Sequence, residues 1–425
     1  MWIAGAIFIT TFGIILSEKI HRTIIALAGA SIMVSVGMYM GFYSQGAALE
    51  SIDFNTLGLL MGMMIIVSML QKTGFFEYLA IITAKKTKGN PWLLVVFLGT
   101  VTTALSTIID NVTTIVLIAP VTVIIARLLG INPIPLLMAE ALLSDTGGVA
   151  TLVGDPPNIL IGSAANLSFN DFLVHLAPVV FVIWIVTLFL LKFIFRKELA
   201  EKPKNIDALQ KMDEKEALKD PKALKKILFA LGVVVTLFFV HHHLHLQPSF
   251  VAMIGAALAL ILVQPEPDSI LRDVHWSVLL FFASLFVVVG GVEKAGLLHV
   301  IADKISGMAS GNLVLTCILV IWVSAFLSAI VDNIPFTIAM IPVIHHLETQ
   351  GINVSPLWWA LALGVGFGGN GTPIGSTANI VTVSVSERTN TPITFKIWIK
   401  SGSQVMLATC TMATIIMVVF FKFFT

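Results

Sequence analysis

Charged residues are scarce in this sequence: Asp, Glu, Lys and Arg together make up 12% of its 425 residues. Soluble domains carry roughly 25%, so a chain this long cannot cover a water-exposed surface, and a soluble globular fold is excluded. Hydrophobic residues make up 57% of the chain. Many apolar stretches approach the ~20 residues that a helix needs to cross a bilayer. The composition therefore predicts an all-α integral membrane protein.

Other absences narrow the function. The two cysteines, Cys317 and Cys410, are too few and too far apart for a disulfide framework or a zinc site. The net charge of +1 provides no basic surface for nucleic acid. No G-x-x-x-x-G-K-[ST] motif occurs, so the chain carries no P-loop ATPase of its own. We expect no metal site, no cofactor and no nucleic-acid partner, and we expect an ion gradient to supply the energy.

One strongly charged segment, residues 196–225, separates two apolar halves, and we interpret it as a solvated connector. Lys and Arg collect on the cytoplasmic side of membrane proteins. With this linker inside the cell, most of the basic loops also fall inside. The pattern predicts a multi-pass protein of the cell inner (cytoplasmic) membrane, with about ten transmembrane helices, two re-entrant hairpins and two discontinuous helices.

The two halves repeat each other at an offset of 222 or 221 positions, which is the strongest signal in the sequence. Residues 104–111 match residues 326–333, and the Gly-Gly pair at 147–148 matches the pair at 368–369. An odd number of predicted crossings separates equivalent positions, so the repeats face opposite ways across the membrane. Inverted repeats of this kind build secondary transporters, with the binding site near the bilayer midplane.

The repeat predicts a domain layout with two equivalent cores. The N-terminal transmembrane helices occupy 1–49, the cytoplasmic linker 196–225 and the connecting transmembrane helices 226–265. The first repeat occupies 50–195, with a hairpin at about 91–131 and a broken helix at about 133–168. The second repeat occupies 266–425, with a hairpin at about 312–350 and a broken helix at about 355–388.

Glycines mark the break in each half. Gly permits φ > 0 and Pro lacks an N–H donor, so we expect helix to stop at Gly147, Gly148, Gly154, Gly368, Gly369, Gly371 and Gly375. Unwound backbone inside a membrane is tolerated only where it is buried in protein or lines a cavity. The freed backbone groups and the nearby polar side chains are therefore predicted to form the binding site.

Candidate ligands for the substrate or ion lie at the hairpin tips and helix breaks: Asp110, Asn111, Thr113, Thr151, Asn158, Asp332, Asn333, Asn370, Thr372 and Asn379. The two tip aspartates occur in both halves, which leaves open a structural role as caps of the hairpin helices. The second half has no acidic counterpart of Asp145, Asp155 or Glu140, so these three are the candidates for proton coupling. A buried carboxyl group holds a proton more tightly, and a bound cation releases it. No Lys or Arg lies near either break in the sequence, which argues against a compact anion as substrate.

Three motifs carry a family resemblance: Asp-Asn-Val-Thr-Thr at 110–114, Gly-Asp-Pro-Pro-Asn at 154–158 and Gly-Gly-Asn-Gly-Thr-Pro-Ile-Gly at 368–375. With them the chain resembles, over nearly its whole length, the arsenite/antimonite permease and sodium/proton antiporter family, the P-protein-type permeases of the ion-transporter superfamily. The resemblance implies a scaffold and a transport core, elevator-type movement, a homodimer, and an ion site at Asp110, Asn111, Asp155, Asn158, Asp332, Asn333 and Asn379. The divalent-carboxylate branch has Ser-Asn-Thr at its hairpin tips, whereas this chain has Asp-Asn, which argues against carboxylate substrates.

The leading hypothesis from the sequence is a secondary active transporter, not an enzyme, that exports arsenite or antimonite in exchange for protons. An auxiliary cytosolic ATPase is compatible with it. The close alternative is a sodium/proton antiporter that uses the same residues. A passive ion channel is a further alternative, and an intramembrane aspartyl protease is disfavoured because the acids lack Tyr-Asp and Gly-x-Gly-Asp contexts. The expected partners are the lipid bilayer, a small inorganic solute, and protons or sodium.

Overall fold

A computed structural model describes residues 1–17, 19–330 and 332–425, without the side chains of Leu16, Ala208, His299, Ile301, Lys304, Met308, Ala309 and Ser310. Every regular element in this described part is helical, which confirms the all-α prediction.

Eleven α-helices make up the first half: α1 (Trp2–Leu16), α2 (Arg22–Met40), α3 (Gln45–Glu50), α4 (Phe54–Lys72), α5 (Phe75–Lys86), α6 (Pro91–Ser106), α7 (Asn111–Leu129), α8 (Ile134–Gly148), α9 (Pro156–Ala165), α10 (Phe169–His175) and α11 (Ala177–Ile194). The linker contains a 3-10 turn, Glu198–Ala200, and α12 (Ile206–Lys211). The second half contains α13 (Pro221–Val240), α14 (Pro248–Val263), α15 (Pro267–Leu271), α16 (Trp276–Lys294), α17 (Leu297–Gly311), α18 (Leu313–Ile330), α19 (Asn333–Thr349), α20 (Ser355–Gly368), α21 (Thr377–Ser386) and α22 (Phe395–Val419). Two 3-10 turns, Gly369–Gly371 and Phe421–Phe423, follow α20 and α22.

The helices reproduce the sequence repeat. The helices α4, α5, α6 and α7 each begin 222 positions before α16, α17, α18 and α19, and α8 and α9 begin 221 positions before α20 and α21. In both halves the first hairpin arm packs on the first part of the broken helix, α6 on α8 and α18 on α20. The two halves therefore have the same internal architecture.

The correspondence extends beyond the predicted repeats. The helix α3 begins 222 positions before α15, and α2 packs on α16 as α14 packs on α4. The leading helices α1–α3 thus correspond to α13–α15, and each set packs against the first long helix of the other half. The predicted domain boundaries at 49–50 and 265–266 stay predictions. The helices on both sides of each boundary belong to the repeated architecture, so the structure does not mark a boundary there.

Eight described helices are long and apolar enough to cross a membrane. They include the hairpin arms α7 and α18, whereas α1 and α14 are shorter, with 15 and 16 residues. Length and composition do not distinguish a full crossing from a hairpin arm. The total of about ten crossings, in which each broken helix counts once, stays a prediction.

The Asp-Asn sequence at each hairpin tip begins the second arm. Asp110 accepts a hydrogen bond from the Thr113 backbone N–H at 2.9 Å and caps α7, while Asp332 accepts one from the Ile334 N–H at 3.4 Å and caps α19. This confirms the capping role that the sequence left open. A cap of this kind stabilises a helix by about 1 kcal/mol. It also places the following asparagine, the first residue of α7 or α19, in the buried interior.

The first parts of the broken helices end at Gly148 and Gly368, within the glycine-rich breaks, and the break glycines have no positive φ. Among the described glycines, positive φ is confined to positions outside the breaks: Gly41, Gly74, Gly89, Gly130, Gly296 and Gly351. The break glycines instead permit close packing. A Cβ atom on Gly154 would lie 2.4 Å from the Ser106 carbonyl oxygen, and one on Gly375 would lie 2.6 Å from the Gly369 carbonyl oxygen. These residues are small because the unwound segments contact neighbouring backbone.

The charged linker is largely exposed, and parts of it are docked on the first half. The Lys204 backbone N–H donates to the Leu129 carbonyl oxygen at 2.8 Å, and Lys85 Nζ lies 2.6 Å from Glu214 Oε2. Leu209 of α12 is fully buried. Buried apolar surface and backbone hydrogen bonds therefore hold the linker against the ends of α5 and α7.

Candidate functional site

A buried cluster of carboxylates and amides lies where the hairpin tips meet the helix breaks, and we call Asn111, Asp145, Asp155, Asn333 and Ser376 the central cluster. Asn111 Nδ2 donates to Asp145 Oδ1 at 2.9 Å and to Asp155 Oδ1 at 3.4 Å. Asn333 Nδ2 donates to Asp155 Oδ2 at 3.5 Å, and Ser376 Oγ donates to Asp145 Oδ1 at 3.0 Å. All five residues are at most 5% exposed. The cluster therefore joins both halves in a site that is shielded from solvent.

Helix ends surround the central cluster. The helices α7 and α19 begin at Asn111 and Asn333, and α9 begins directly after Asp155. A helix N-terminus carries a partial positive charge, so these ends partly compensate a carboxylate. The first part of each broken helix ends at the same place with its carbonyl groups, which carry partial negative charge. The arrangement offers both acceptors and donors to a small solute.

Asn158 and Asn379 hold the two breaks in the same way. Asn158 Nδ2 donates to the Thr151 carbonyl oxygen at 2.8 Å, and Asn379 Nδ2 donates to the Thr372 carbonyl oxygen at 3.2 Å. Each threonine hydroxyl in turn donates to a carbonyl oxygen at the preceding hairpin tip, at 2.5 Å in both halves. These four predicted ligands thus fix the unwound segments to the hairpins, and their amides contact backbone oxygens.

Three buried oxygen atoms near the central cluster have no hydrogen-bond donor within the described residues: Asp145 Oδ2, Asn370 Oδ1 and Asn379 Oδ1. Asn370 belongs to the 3-10 turn that follows α20, and Asp145 of α8 and Asn379 of α21 lie beside Gly369 of the same turn. A Cβ atom added to Gly369 would lie 3.7 Å from Asp145 Oδ2. Asn379 Nδ2 donates to the Gly369 carbonyl oxygen at 2.9 Å. A buried acceptor without a donor is costly, so this turn is suited to a cation or to a solute with O–H groups.

Asp110, Thr113 and Glu140 are among the predicted residues that lie outside the central cluster. Thr113 Oγ1 donates to Asp110 Oδ2 at 2.6 Å, so this pair is satisfied at the start of α7. Glu140 is fully buried in α8 and accepts a hydrogen bond from Thr122 Oγ1 at 2.5 Å. The structure therefore does not bring all the predicted ligands into one shell.

Asp332 is bound by an arginine that is remote in the sequence, so the absence of Lys and Arg around the breaks in the sequence does not extend to their surroundings in the fold. Arg22 Nη1 lies 2.7 Å from Asp332 Oδ2 and donates to Thr377 Oγ1 at 2.9 Å. Its guanidinium lies 5.2 Å from the ring centroid of Phe281 on α16. The two charged residues are 310 positions apart in the chain, so only the fold reveals that they are neighbours.

Residues 12–364 match the family described as CitMHS, citrate transporter. The chain belongs to this family. A 46 kDa membrane protein of Mycobacterium leprae is 40% identical over 419 residues, 97% of each chain. An uncharacterized transporter of Mycobacterium tuberculosis is 41% identical over 409 residues, 95% of each chain.

Two further matches bear on the resemblance and the fold. The human P protein is 30% identical over 490 residues, which cover 96% of this chain and 58% of the P protein. The YdaH transporter of Alcanivorax borkumensis has the same fold, with a TM-score of 0.62 at 14% identity and coverage of 94% and 97% of the two chains. The P-protein part of the resemblance is confirmed, and this CitMHS-family chain is a multi-pass secondary transporter.

The sequence missed two residues of the site in this CitMHS-family transporter. Ser376 lies at the position equivalent to Asp155, and its hydroxyl reaches Asp145 from the other half. The repeat alignment carried this signal, because it placed a polar residue opposite a buried acid. No sequence signal pointed to Arg22, because it precedes the first repeat motif and no spacing relates it to Asp332.

Proposed function

We propose that this transporter exchanges sodium for protons at the central cluster. The observation that supports the proposal is a pair of buried carboxylates without a cationic partner. Within the described residues, neither Asp145 nor Asp155 forms an ion pair with Lys, Arg or His, and each is 2% exposed.

A buried ionised carboxylate without a counter-charge costs several kcal/mol. Each of these groups therefore favours either a bound proton or a bound cation, and binding of one opposes binding of the other. Such competition at a shared site is the physical basis of exchange. Carboxylate, amide and backbone oxygens are also the ligands that a hard cation such as sodium prefers.

Export of arsenite or antimonite, the leading hypothesis from the sequence, is the second candidate. It is supported by the three donor-free oxygen atoms of Asp145, Asn370 and Asn379. Neutral As(OH)₃ carries three O–H groups that could each donate to one such oxygen. It would not balance the charge of the carboxylates, so a proton on one of them would still be required. Because sodium balances the charge of a carboxylate and As(OH)₃ does not, sodium/proton exchange is the first candidate.

Citrate, the substrate in the family description, fits the site less well. It is a polyanion, and the four aspartates at the hairpin tips and breaks would repel it. Arg22 already pairs with Asp332. A citrate site would need cations that the central cluster does not contribute.

The test uses purified protein in proteoliposomes with a pH-sensitive dye inside an acidic lumen. We expect added sodium to cause proton release in the wild type. Asp155→Asn should lower the rate about 30-fold or more, which corresponds to the ~2 kcal/mol lower limit for loss of a buried charged contact. Asp268→Asn, which removes an exposed carboxylate on α15, is the matched control and should transport normally.

Parallel experiments with arsenite and citrate separate the candidates. Proton-coupled arsenite movement without a sodium response would replace the first candidate by the second. Uptake of citrate without a response to either of the other solutes would contradict both candidates. An Asp155→Asn variant as active as the wild type would remove the central cluster from the mechanism.

A further inference from the structure

A buried polar pair lies outside the central cluster, between α7 and α8. Thr122 Oγ1 donates to Glu140 Oε1 at 2.5 Å, and both residues are fully buried. The second carboxyl oxygen, Glu140 Oε2, has no hydrogen-bond partner in the described part of the chain. The pair is therefore a buried carboxyl group with one oxygen free to hold a proton.

The other half of the protein shows that this polar pair is not needed for packing. The equivalent positions in α19 and α20 hold Ile344 and Leu361, which are 1% and 0% exposed. The same helices therefore pack with an apolar pair at this place. Since an apolar pair avoids the desolvation cost of a buried acid, the Thr122–Glu140 pair is expected to have a role other than stability.

The position of Glu140 suggests that role. Glu140 precedes Asp145 by five residues on α8, about 7.5 Å along the helix axis. In the opposite direction, α8 begins beside a cavity of about 350 Å³ whose lining includes Val123, Arg127 and Glu201. Val123 directly follows Thr122 in α7. The pair therefore lies between the central cluster and a polar cavity at the linker end of the protein.

Few ionisable side chains face this pair. The helices packed against α8 include α6, α7, α11, α20, α21 and α22, and their ionisable residues are Arg127, Lys192, Lys396, Lys400 and Cys410. The four basic residues are exposed, and Lys192 lies over the ring of Trp92. On α8 itself, the only other titratable group is Asp145.

We propose that Glu140, held by Thr122, is a second proton-binding site that relays protons between Asp145 and the cavity beside Arg127. The inference rests on the proposed exchange of protons. A proton binds to Glu140 Oε2 and converts the carboxylate to the carboxylic acid. It later leaves to water on the way to or from Asp145, so one proton enters for each that departs and no covalent bond to carbon changes.

The double variant Thr122→Ile/Glu140→Leu tests the proposal. It introduces the apolar pair that the second half has at the equivalent positions, so it is expected to fold. Glu140→Gln removes the proton-binding group while keeping the shape. The matched control, Ile344→Val/Leu361→Met, makes conservative changes at the equivalent place in the second half. Thermal unfolding in detergent should be similar in all four proteins.

Two transport rates separate a relay from a general defect. We expect both Glu140 variants to lower sodium transport driven by a pH gradient at least about tenfold, while exchange of labelled sodium for sodium, which needs no net proton transfer, stays within about twofold. Equal loss of both rates in a stable variant would show that Glu140 shapes the central cluster, and unchanged proton-driven transport would show that it carries no protons. Either result overturns the proposal.

A measurement without any solute keeps this inference distinct from the proposed function. Infrared difference spectra of the purified protein across a pH change report the titration of carboxylic acid groups. We expect one titrating group fewer in Glu140→Gln than in the wild type and in the control. Identical spectra would overturn the relay whatever the solute, whereas a wild type inactive with sodium but with the expected spectral difference would contradict only the proposed function.

Discussion

The contact between Arg22 and Asp332 connects α2 to the tip of the second hairpin. Its contribution to stability can be worked out from the structure. Arg22 belongs to α2, which packs on α16, and its guanidinium lies over Phe281 of α16 at 5.2 Å. It reaches Asp332 at 2.7 Å and Thr377 at 2.9 Å, on the hairpin and on the broken helix. The arginine thus joins α2 and α16 to the second hairpin and the second broken helix.

The side chains of Arg22 and Asp332 are 27% and 13% exposed. Their interaction energy should therefore lie between those measured for exposed and for buried ion pairs. Exposed ion pairs contribute about 0.2–1 kcal/mol, and loss of one partner of a buried pair costs about 3–5 kcal/mol. After discounting for solvent screening we expect a coupling of about 2 kcal/mol. This value corresponds to roughly a 30-fold shift in the equilibrium between states with and without the contact.

A double-mutant cycle measures this coupling. The variants are Arg22→Ala, Asp332→Asn and the pair, and the assay is equilibrium unfolding by SDS in mixed micelles. Asn at position 332 keeps the cap of α19, because Asn is as good an N-cap as Asp. The matched control is a cycle on Lys72 and Asp273, whose side chains are 44% and 42% exposed, and it should give under about 1 kcal/mol.

Arg22→Lys should retain part of the coupling, because lysine keeps the charge but cannot donate from a planar fork. If the Arg22–Asp332 cycle gives less than about 0.5 kcal/mol, the limit of additivity for independent sites, the reasoning from partial burial is wrong. A coupling no larger than that of the exposed control pair would lead to the same conclusion.

Two further predictions follow from contacts elsewhere in the chain. Gly154→Ala should abolish transport and lower the unfolding temperature, because its Cβ would lie 2.4 Å and 2.6 Å from two backbone carbonyl oxygens. The control is Gly232→Ala on α13, where the added Cβ has no neighbouring atom within 4 Å, and it should stabilise the protein by up to about 1 kcal/mol. Equal effects of the two substitutions would refute the packing argument. The hydrogen bond from Lys72 lowers the pKa of Asp273, so the stability from this pair is complete above the usual pKa of about 4 and is lost as the pH falls through the lower folded value. Lys72→Met should therefore lower stability at neutral pH and lose its effect in acid, as measured by unfolding at several pH values, and a destabilisation that persists in acid would contradict this explanation.

The hairpins and breaks could be predicted because the residues that form them are not interchangeable. Asp at a helix N-cap, Gly at a close backbone approach and Asn at a backbone-binding position each have few substitutes. The 222-residue repeat of such residues therefore located the starts of α7 and α19. The correspondence of α1–α3 with α13–α15 left no such trace, because apolar residues that face lipid replace one another freely.

The tertiary contacts of the site were harder to predict. The sequence distinguished Asp155, which has no acidic counterpart in the second half, from Asp110, which has one. It did not show that amides of both hairpins bind Asp155, whereas the carboxylate of Asp110 is satisfied by its own helix. The difference arises from how the two halves pack. The same holds for Arg22, whose partner lies 310 positions away. The sequence indicated where the broken helices end, but the close approach of a neighbouring carbonyl group to the break glycines is a property of the fold.

The differences between the two halves separate architecture from chemistry. Contacts that both halves share, such as those of Asn158 and Asn379 with the backbone of the breaks, hold the common framework and would be costly to remove in either half. Glu140, Asp145 and Asp155 have no acidic counterpart, because the second half has Leu361, Gly366 and Ser376 at the equivalent positions. The second half forms the equivalent framework without carboxylates at these positions, so the framework itself does not require them. Their desolvation cost is therefore best explained by binding of a proton or a cation, and their neutral variants should lose transport while they keep the fold.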